Sequence, residues 1–423
     1  MLRFAFVLTV PFFVAMLAAC GGRAVAHEPL PLVVSGEVVA VDAAVAARHD
    51  EIMQFNLQIE IENHELGRYE PAVGAFIGAY IERDAAVDSI RDFETEMGVN
   101  HAIFAYTMAL GDNYPIRWVL ENIAGVKAPF IIVMPPEDGL IHDIEMLTDF
   151  AREAGRFDVP LFVNLFPVVS SHRFVPSDYI AFFRQARGIF LEYAPNVALV
   201  WGLDASNMAV ATQFYPGRDV VDWVHLIIYN DVDENGNFRD FFAYIDAFYF
   251  AFQQEGPLVV STAVSHYTLD GNRYFTREAA AKIEYIYGRM YEYPRIRAVI
   301  YRSYNDLQGR GQKFAINSAE DISMAYAHAA GASHFINRLA GNASLPEVAT
   351  IRIHSPFRAI MRNSYFYIPV RGLMYDARFA YLELLEGREI EIDGELFFTI
   401  ADVNRVSGAD FFVDMQRGLL VLR

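Results

Sequence analysis

One cysteine, Cys20, stands in the whole chain of 423 residues, so no disulfide can form within it. Basic residues are also scarce. Against 53 Asp and Glu there are 34 Lys and Arg, a net charge of −19. That balance repels phosphates and argues against a nucleic-acid partner, and equally against charge-driven adhesion to an anionic surface. Neutral glycans remain compatible. Beyond the first twenty residues no apolar run reaches the roughly 20 uncharged residues of a spanning helix, so the body is expected to be soluble. Metal-ligand spacing is missing too. His172 and His266 have no second ligand at a helical or hairpin spacing. No metal and no cofactor is expected.

The exception to the missing apolar runs is the segment 4–19, which follows the lone basic Arg3. It ends in Leu17-Ala-Ala-Cys20 before two glycines and resembles a bacterial lipoprotein cleavage box. Residues 1–19 are then expected to be a signal peptide, with Cys20 carrying a lipid. The mature chain would be a membrane-anchored lipoprotein on the bacterial cell surface or periplasmic face.

What the chain does have is apolar mass: 54% hydrophobic and 14% aromatic residues, enough for a substantial core. Residues 20–70 read as a tether and lead-in, with strands conceivable at 38–45 and 55–61. From residue 71 short apolar runs alternate with stretches of helical periodicity, the pattern of β/α units and a parallel sheet. Strands are expected at 74–80, 102–107, 130–134, 161–164, 197–201, 224–229, 258–262 and 298–301. Amphipathic stretches include 85–97, 143–154, 176–193, 238–254 and 276–291, with a closing helix at 318–339. Eight units within 71–340 make the fold class α/β, a (β/α)8 TIM barrel. Residues 341–346 read as a linker, and 341–423 as a small C-terminal β-rich (α+β) domain whose short helix ends at Gly408.

Phe214-Tyr-Pro-Gly-Arg-Asp-Val-Val-Asp-Trp-Val-His-Leu-Ile-Ile-Tyr229 resembles the sixth-strand segment of family-26 glycoside hydrolases, the β-mannanase group. Gly74-Ala-Phe-Ile-Gly-Ala-Tyr80, Pro176-Ser-Asp-Tyr-Ile-Ala-Phe-Phe-Arg184, Asn196-Val-Ala-Leu-Val-Trp201 and Tyr293-Pro-Arg-Ile-Arg-Ala-Val-Ile-Tyr301 are similar to further pieces of that family, in the same order. The C-terminal segment resembles the module named after the N-terminal domain of copper amine oxidases. With one histidine, His354, it carries no copper chemistry over.

Retaining glycosidases need two carboxyl groups about 5–5.5 Å apart. The resemblance implies a glutamate at the end of strand four and another ending strand seven. Leu165 and Thr262 occupy those positions. General acid–base help alone is worth about 10²–10⁴-fold, so the barrel reads as a pseudoenzyme. Other carboxylates lie near strand ends: Glu82, Glu137, Asp138, Asp204, Asp231 and Asp306. Of these, Glu137 and Asp204 are the fallback pair for an inverting reaction, unless they merely cap the following helices.

Aromatic side chains also gather at strand ends: Tyr80, Tyr106, Trp201, Tyr229, Tyr267 and Tyr304. Sugar rings stack on such faces. The expected glycan-binding set is Tyr80, Asn164, Trp201, Tyr229 and Tyr304, with Trp201 and Tyr229 as one wall. The sequence thus points to a surface protein that binds a polysaccharide or cell-envelope glycan. The alternatives are a divergent hydrolase with relocated carboxylates and a structural scaffold for another envelope protein.

Overall fold

The computed structural model describes residues 30–34, 37–41, 52–81, 89–136, 144–168, 174–268, 273–306, 312–339, 347–373, 388–392 and 394–423. The chain divides into two compact units: residues 62–353, and a second unit from 1–61 together with 354–423.

The larger unit is a closed parallel barrel. Its strands are β1 (Ala75–Ile81), β2 (Ile103–Ala109), β3 (Ala128–Met134), β4 (Leu161–Leu165), β5 (Val197–Asp204), β6 (Trp223–Asn230), β7 (Leu258–Val264) and β8 (Ile296–Ser303). Each pairs in parallel with the next, and β8 returns to β1 with Ala298 opposite Phe76 and Arg302 opposite Tyr80. All eight expected strands are present. Such runs as Phe130-Ile-Ile-Val133 and Leu258-Val-Val260 are buried on both faces, which is why they lack polar alternation.

Period-2 geometry divides those runs between two cores. Phe76, Ile103, Phe130, Phe162, Val200, Trp223, Val259 and Ile300 fill the barrel. Ile77, Phe104, Ile131, Val163, Leu199, Trp201, Leu226 and Val260 face the helices instead.

The helices are α1 (Ile90–Met97), α2 (Ile116–Ala124), α3 (Ile144–Ala154), α4 (Pro176–Tyr193), α5 (Ala211–Phe214), α6 (Phe241–Phe252), α7 (Thr276–Gly288) and α8 (Glu320–Ala330). Ser89 caps α1 by accepting from the Asp92 amide at 3.1 Å, and Gly98 ends it in the left-handed region at φ 66°. Helix α4 opens on Pro176, suited to a first-turn position that needs no N–H donor. The closing helix is shorter than expected. It stops at Ala330, and Phe335–Ile336 then pairs beside β1.

The motif around Asp222 is a structural clasp. Asp222 accepts from both guanidinium nitrogens of Arg187 on α4, at 2.6 and 3.1 Å, and from the Leu199 amide on β5 at 2.7 Å. Trp223 donates its indole N–H to the Arg68 carbonyl at 2.6 Å and packs edge-on against Phe162. At the same N-terminal end, Glu70 pairs with Arg295 and with Arg297, the latter at 3.1 Å, and accepts from the Gly67 amide at 2.9 Å. All three charged residues are buried.

The second unit is built on a seven-stranded sheet. Its order is Ile390–Ile392, Glu395–Thr399, Tyr365–Pro369, Val348–Arg362, Met53–Glu65, Leu419–Leu422 and Phe411–Asp414. The helix Ile400–Ser407 is capped by Thr399 and ends at Gly408, φ 67°. The β-rich character and the helix ending at Gly408 are there, but the division by sequence needs a correction. Residues 53–65, read as lead-in, form an inner strand of this sheet, parallel to Leu419–Leu422. Phe55, Leu57 and Ile59 alternate into its core. A separate hairpin joins Leu30–Val34 to Glu37–Val41, where a strand was expected at 38–45. The linker at 341–346 lies outside the described residues, as do residues 374–387 of this unit.

Candidate binding site at the barrel mouth

The C-terminal ends of the strands bring an aromatic cluster together. Tyr80 ends β1, Tyr229 lies near the end of β6, and Tyr304 follows β8. Tyr80 meets Tyr304 edge-on at 6.0 Å, and Tyr229 meets Tyr304 at 6.4 Å. Phe314 completes the group, 5.5 Å from each of Tyr229 and Tyr304. The inward alternation Ala298, Ile300, Arg302 continues to a cation. The Arg302 guanidinium lies 4.7 Å from the Tyr80 ring centre and 5.9 Å from that of Tyr304. Cation–π attraction of this kind is worth about 0.5–2 kcal/mol.

Deeper in the barrel a polar chain crosses three strands. Asn164 of β4 bonds Nδ1 of His225 at 2.7 Å, and His225 Nε2 bonds Ser261 Oγ of β7 at 2.7 Å. With the Asn164 amide donating to Nδ1, the ring proton sits on Nε2. Gly202 makes room for this chain, since a Cβ there would meet the Asn164 amide at 2.6 Å. Burial, reinforced by the Arg302 charge, pushes the His225 pKa down to about 3. His225 is therefore neutral at physiological pH. Among the described residues, Thr107 Oγ1, Asn164 Oδ1 and Arg302 Nε and Nη1 are enclosed without a hydrogen-bond partner.

Three of the five expected binding residues, Tyr80, Tyr229 and Tyr304, thus form one cluster. Asn164 is at the barrel centre but fully buried and committed to His225. Trp201 is a correction. It is 0% exposed, faces outward from β5, and packs against Tyr215 and Phe252 at 5.2 and 5.4 Å. It cannot form a wall with Tyr229. Tyr106 also turns outward, onto Trp118 of α2.

Leu165 and Thr262 are both fully buried. Leu165 belongs to the outer core, and Thr262 accepts from the Asn230 side chain at 2.9 Å. Their inward neighbours, Asn164 on β4 and Ser261 and Ala263 on β7, carry no carboxyl either. Asp204 accepts from the Ser206 amide at 3.0 Å and from Asn207 at 2.9 Å, which makes it the cap of the turn Ala205–Val210. Asp231 lies 4.0 Å from Arg239. Glu82, Glu137, Asp138 and His172 lie outside the described residues, as does Cys20. His266 is buried, with its pKa lowered to about 4 by burial and then by Lys313.

Neither a family model nor a curated protein matches this chain. Solved structures of similar shape include a modular endo-β-1,4-mannanase of glycoside hydrolase family 26 from Cellulomonas fimi. It shares 14% identity at a TM-score of 0.49 over 65% of this chain and 75% of its own. A family-26 β-mannanase from Bacteroides ovatus shares 9% at 0.46, over 64% and 92%. A family-26 protein from a Muricauda species shares 14% at 0.49, over 65% and 90%. The barrel stands on its own strand pairings.

The buried histidines make acid destabilising. His101, His225 and His266 all have pKa values below the usual 6.5, chiefly through burial. Unfolding lets each bind a proton once the pH drops below about 6.5, so their stabilising contribution is full above that pH and shrinks toward the folded pKa. At pH 5, His225 alone forfeits about 2 kcal/mol. Urea midpoints are expected to fall steadily from pH 7.5 to pH 5; a flat profile over that window contradicts neutral burial.

Proposed function

We propose that the barrel mouth binds a polysaccharide or cell-envelope glycan without cleaving it. The observation that carries this is the ring cluster Tyr80, Tyr229, Tyr304 and Phe314 at the end of the barrel where such folds place their sites. Sugar faces pack on tyrosine rings, and the inward polar atoms of Thr107 and Arg302 supply hydrogen-bonding capacity. The neutral ends of β4 and β7 support binding over hydrolysis. A glycan array followed by calorimetry tests the reading. The expected Kd is about 10 μM to 1 mM, or roughly −4 to −7 kcal/mol, and Tyr304→Ala weakens it several-fold without unfolding the chain. Reducing-sugar assays on mannans are expected to stay at background. Turnover abolished by Glu137→Gln or Asp204→Asn overturns the non-catalytic half of the proposal. If no glycan binds, the scaffold reading replaces it.

The same reading places the barrel outside the cytoplasmic membrane through a lipid on Cys20, supported by the cleavage-box pattern around it. Cys20→Ala is expected to shift the protein out of the membrane fraction. Unchanged fractionation rules out the lipid anchor.

A further inference from the structure

Several arginine and lysine side chains of the barrel face acids. Arg187 pairs with Asp222, Arg289 with Glu292, Lys127 with Glu94, and the buried Arg295 and Arg297 share Glu70. The β7–β8 side of the mouth holds cations without such partners. Arg302 pairs with no carboxylate among the described residues, and two of its nitrogens lack any hydrogen-bond partner. Its compensation comes from the rings of Tyr80 and, farther off, Tyr304. Lys313 lies on the same side, since its backbone carbonyl accepts from the His266 amide at 3.1 Å and its neighbour Phe314 stacks on Tyr304. The Lys313 ammonium donates to the Tyr274 hydroxyl at 2.6 Å and faces the rings of Tyr267 and Tyr274 at 5.0 and 4.9 Å. These are neutral partners. Both nitrogens of the His266 ring, buried between these groups, are likewise without a partner among the described residues.

A partly buried guanidinium held by rings, with two enclosed donors and no acid partner among the described residues, leaves hydrogen-bonding capacity unused. The arrangement becomes favourable when an oxyanion arrives, because guanidinium–oxyanion hydrogen bonds are charge-assisted. The net charge of −19 strengthens the point. In so acidic a chain, an anion has few places to bind, and two cations without an acid partner among the described residues beside an aromatic cluster offer one.

Resting on the glycan-binding reading, we propose that the mouth selects a glycan bearing an oxyanion, with Arg302 receiving that group and Lys313 attracting it. Tyr80, Tyr229 and Tyr304 pack against the sugar ring that carries it. Uronate carboxylates and sugar phosphates share this chemistry.

The test compares β-1,4-mannuronate oligomers with β-1,4-mannan oligomers of equal length, which differ in the carboxylate, and adds mannose 6-phosphate. Calorimetry on the full chain is expected to give at least tenfold tighter binding of mannuronate than of mannan. Arg302→Gln removes that preference, whereas Arg302→Lys keeps part of it. Tighter binding of the phosphate than of mannuronate, lost in Arg302→Gln, supports the same anchor and assigns phosphate as the source. Mannan bound as well as mannuronate, or a preference unchanged in Arg302→Gln, overturns the inference and leaves glycan binding standing. No binding of any of the three overturns the inference, and the glycan array then decides the binding reading. Should Arg302→Gln fail to fold, the wild-type preference decides: it is expected to shrink between 50 and 500 mM salt, and a salt-independent preference counts against the anchor.

Discussion

Glu70→Gln is expected to destabilise the barrel by about 3–5 kcal/mol, the loss found when one partner of a buried ion pair is removed. The Glu70 side chain is 0% exposed, and those of Arg295 and Arg297 are 1% and 6% exposed. One carboxylate therefore compensates two guanidiniums in the same dry floor. Burial lowers the Arg297 pKa, and the Glu70 charge opposes that shift. Glutamine keeps an acceptor for the Gly67 amide but carries no charge, so both cations lose their counter-ion. Arg295 retains the Gln253 carbonyl at 3.1 Å, and Arg297 the Gly74 carbonyl at 3.2 Å, which limits the damage. Urea unfolding should record the lower midpoint. A change below about 1 kcal/mol would mean that water reaches the floor and screens the pair. Replacing all three residues by Leu and Met should recover much of the loss, because well-packed apolar groups often match a buried ion cluster in stability.

The eight strands were legible because a strand covered by helices on one side and by a barrel core on the other is written as an unbroken apolar run. Helix α4 was legible for a different reason, its Pro176 start and periodic Tyr179, Phe182, Phe183 and Phe190. Period-2 alternation adds a direction to each residue of those runs. Once Ala198 and Val200 fill the barrel, Trp201 must face the helices, and once Ala298 and Ile300 fill it, Arg302 must face the mouth. The same parity places Leu165 and Thr262 on the outer face. Reading which strands exist located the mouth. Reading which way each residue points would have found Arg302.

Other features were less accessible. The run 55–61 reads as a strand, yet nothing local says that it lies beside Leu419–Leu422 from the far end of the chain. Pairing across that separation depends on how the sheet assembles, which a local pattern does not encode. The polar chain Asn164–His225–Ser261 is similar in kind. Each residue interrupts an apolar strand as an isolated polar position, and only barrel closure brings the three together. The early end of α8 did have a signal, the Gly331 that follows Ala330.

Trp201→Ala is expected to cost about 3–5 kcal/mol of stability and to leave glycan affinity unchanged in the molecules that remain folded. The indole is enclosed between β5, the Tyr215 turn and α6, with Tyr215 and Phe252 themselves 5.4 Å apart. These three rings seal one helix to the barrel wall. Truncation to alanine removes one corner of that triangle, and neighbours fixed by β5 and α6 can close over the gap only in part. Trp201→Phe should be milder, since it keeps one ring and much of the buried area. Urea unfolding of both variants measures the first effect, and calorimetry with any glycan that binds the wild type measures the second. Lost affinity with wild-type stability would return Trp201 to the cleft and refute its outward orientation. Lost stability with wild-type affinity separates the outer core from the mouth, leaving recognition to Tyr80, Tyr229, Tyr304 and Arg302.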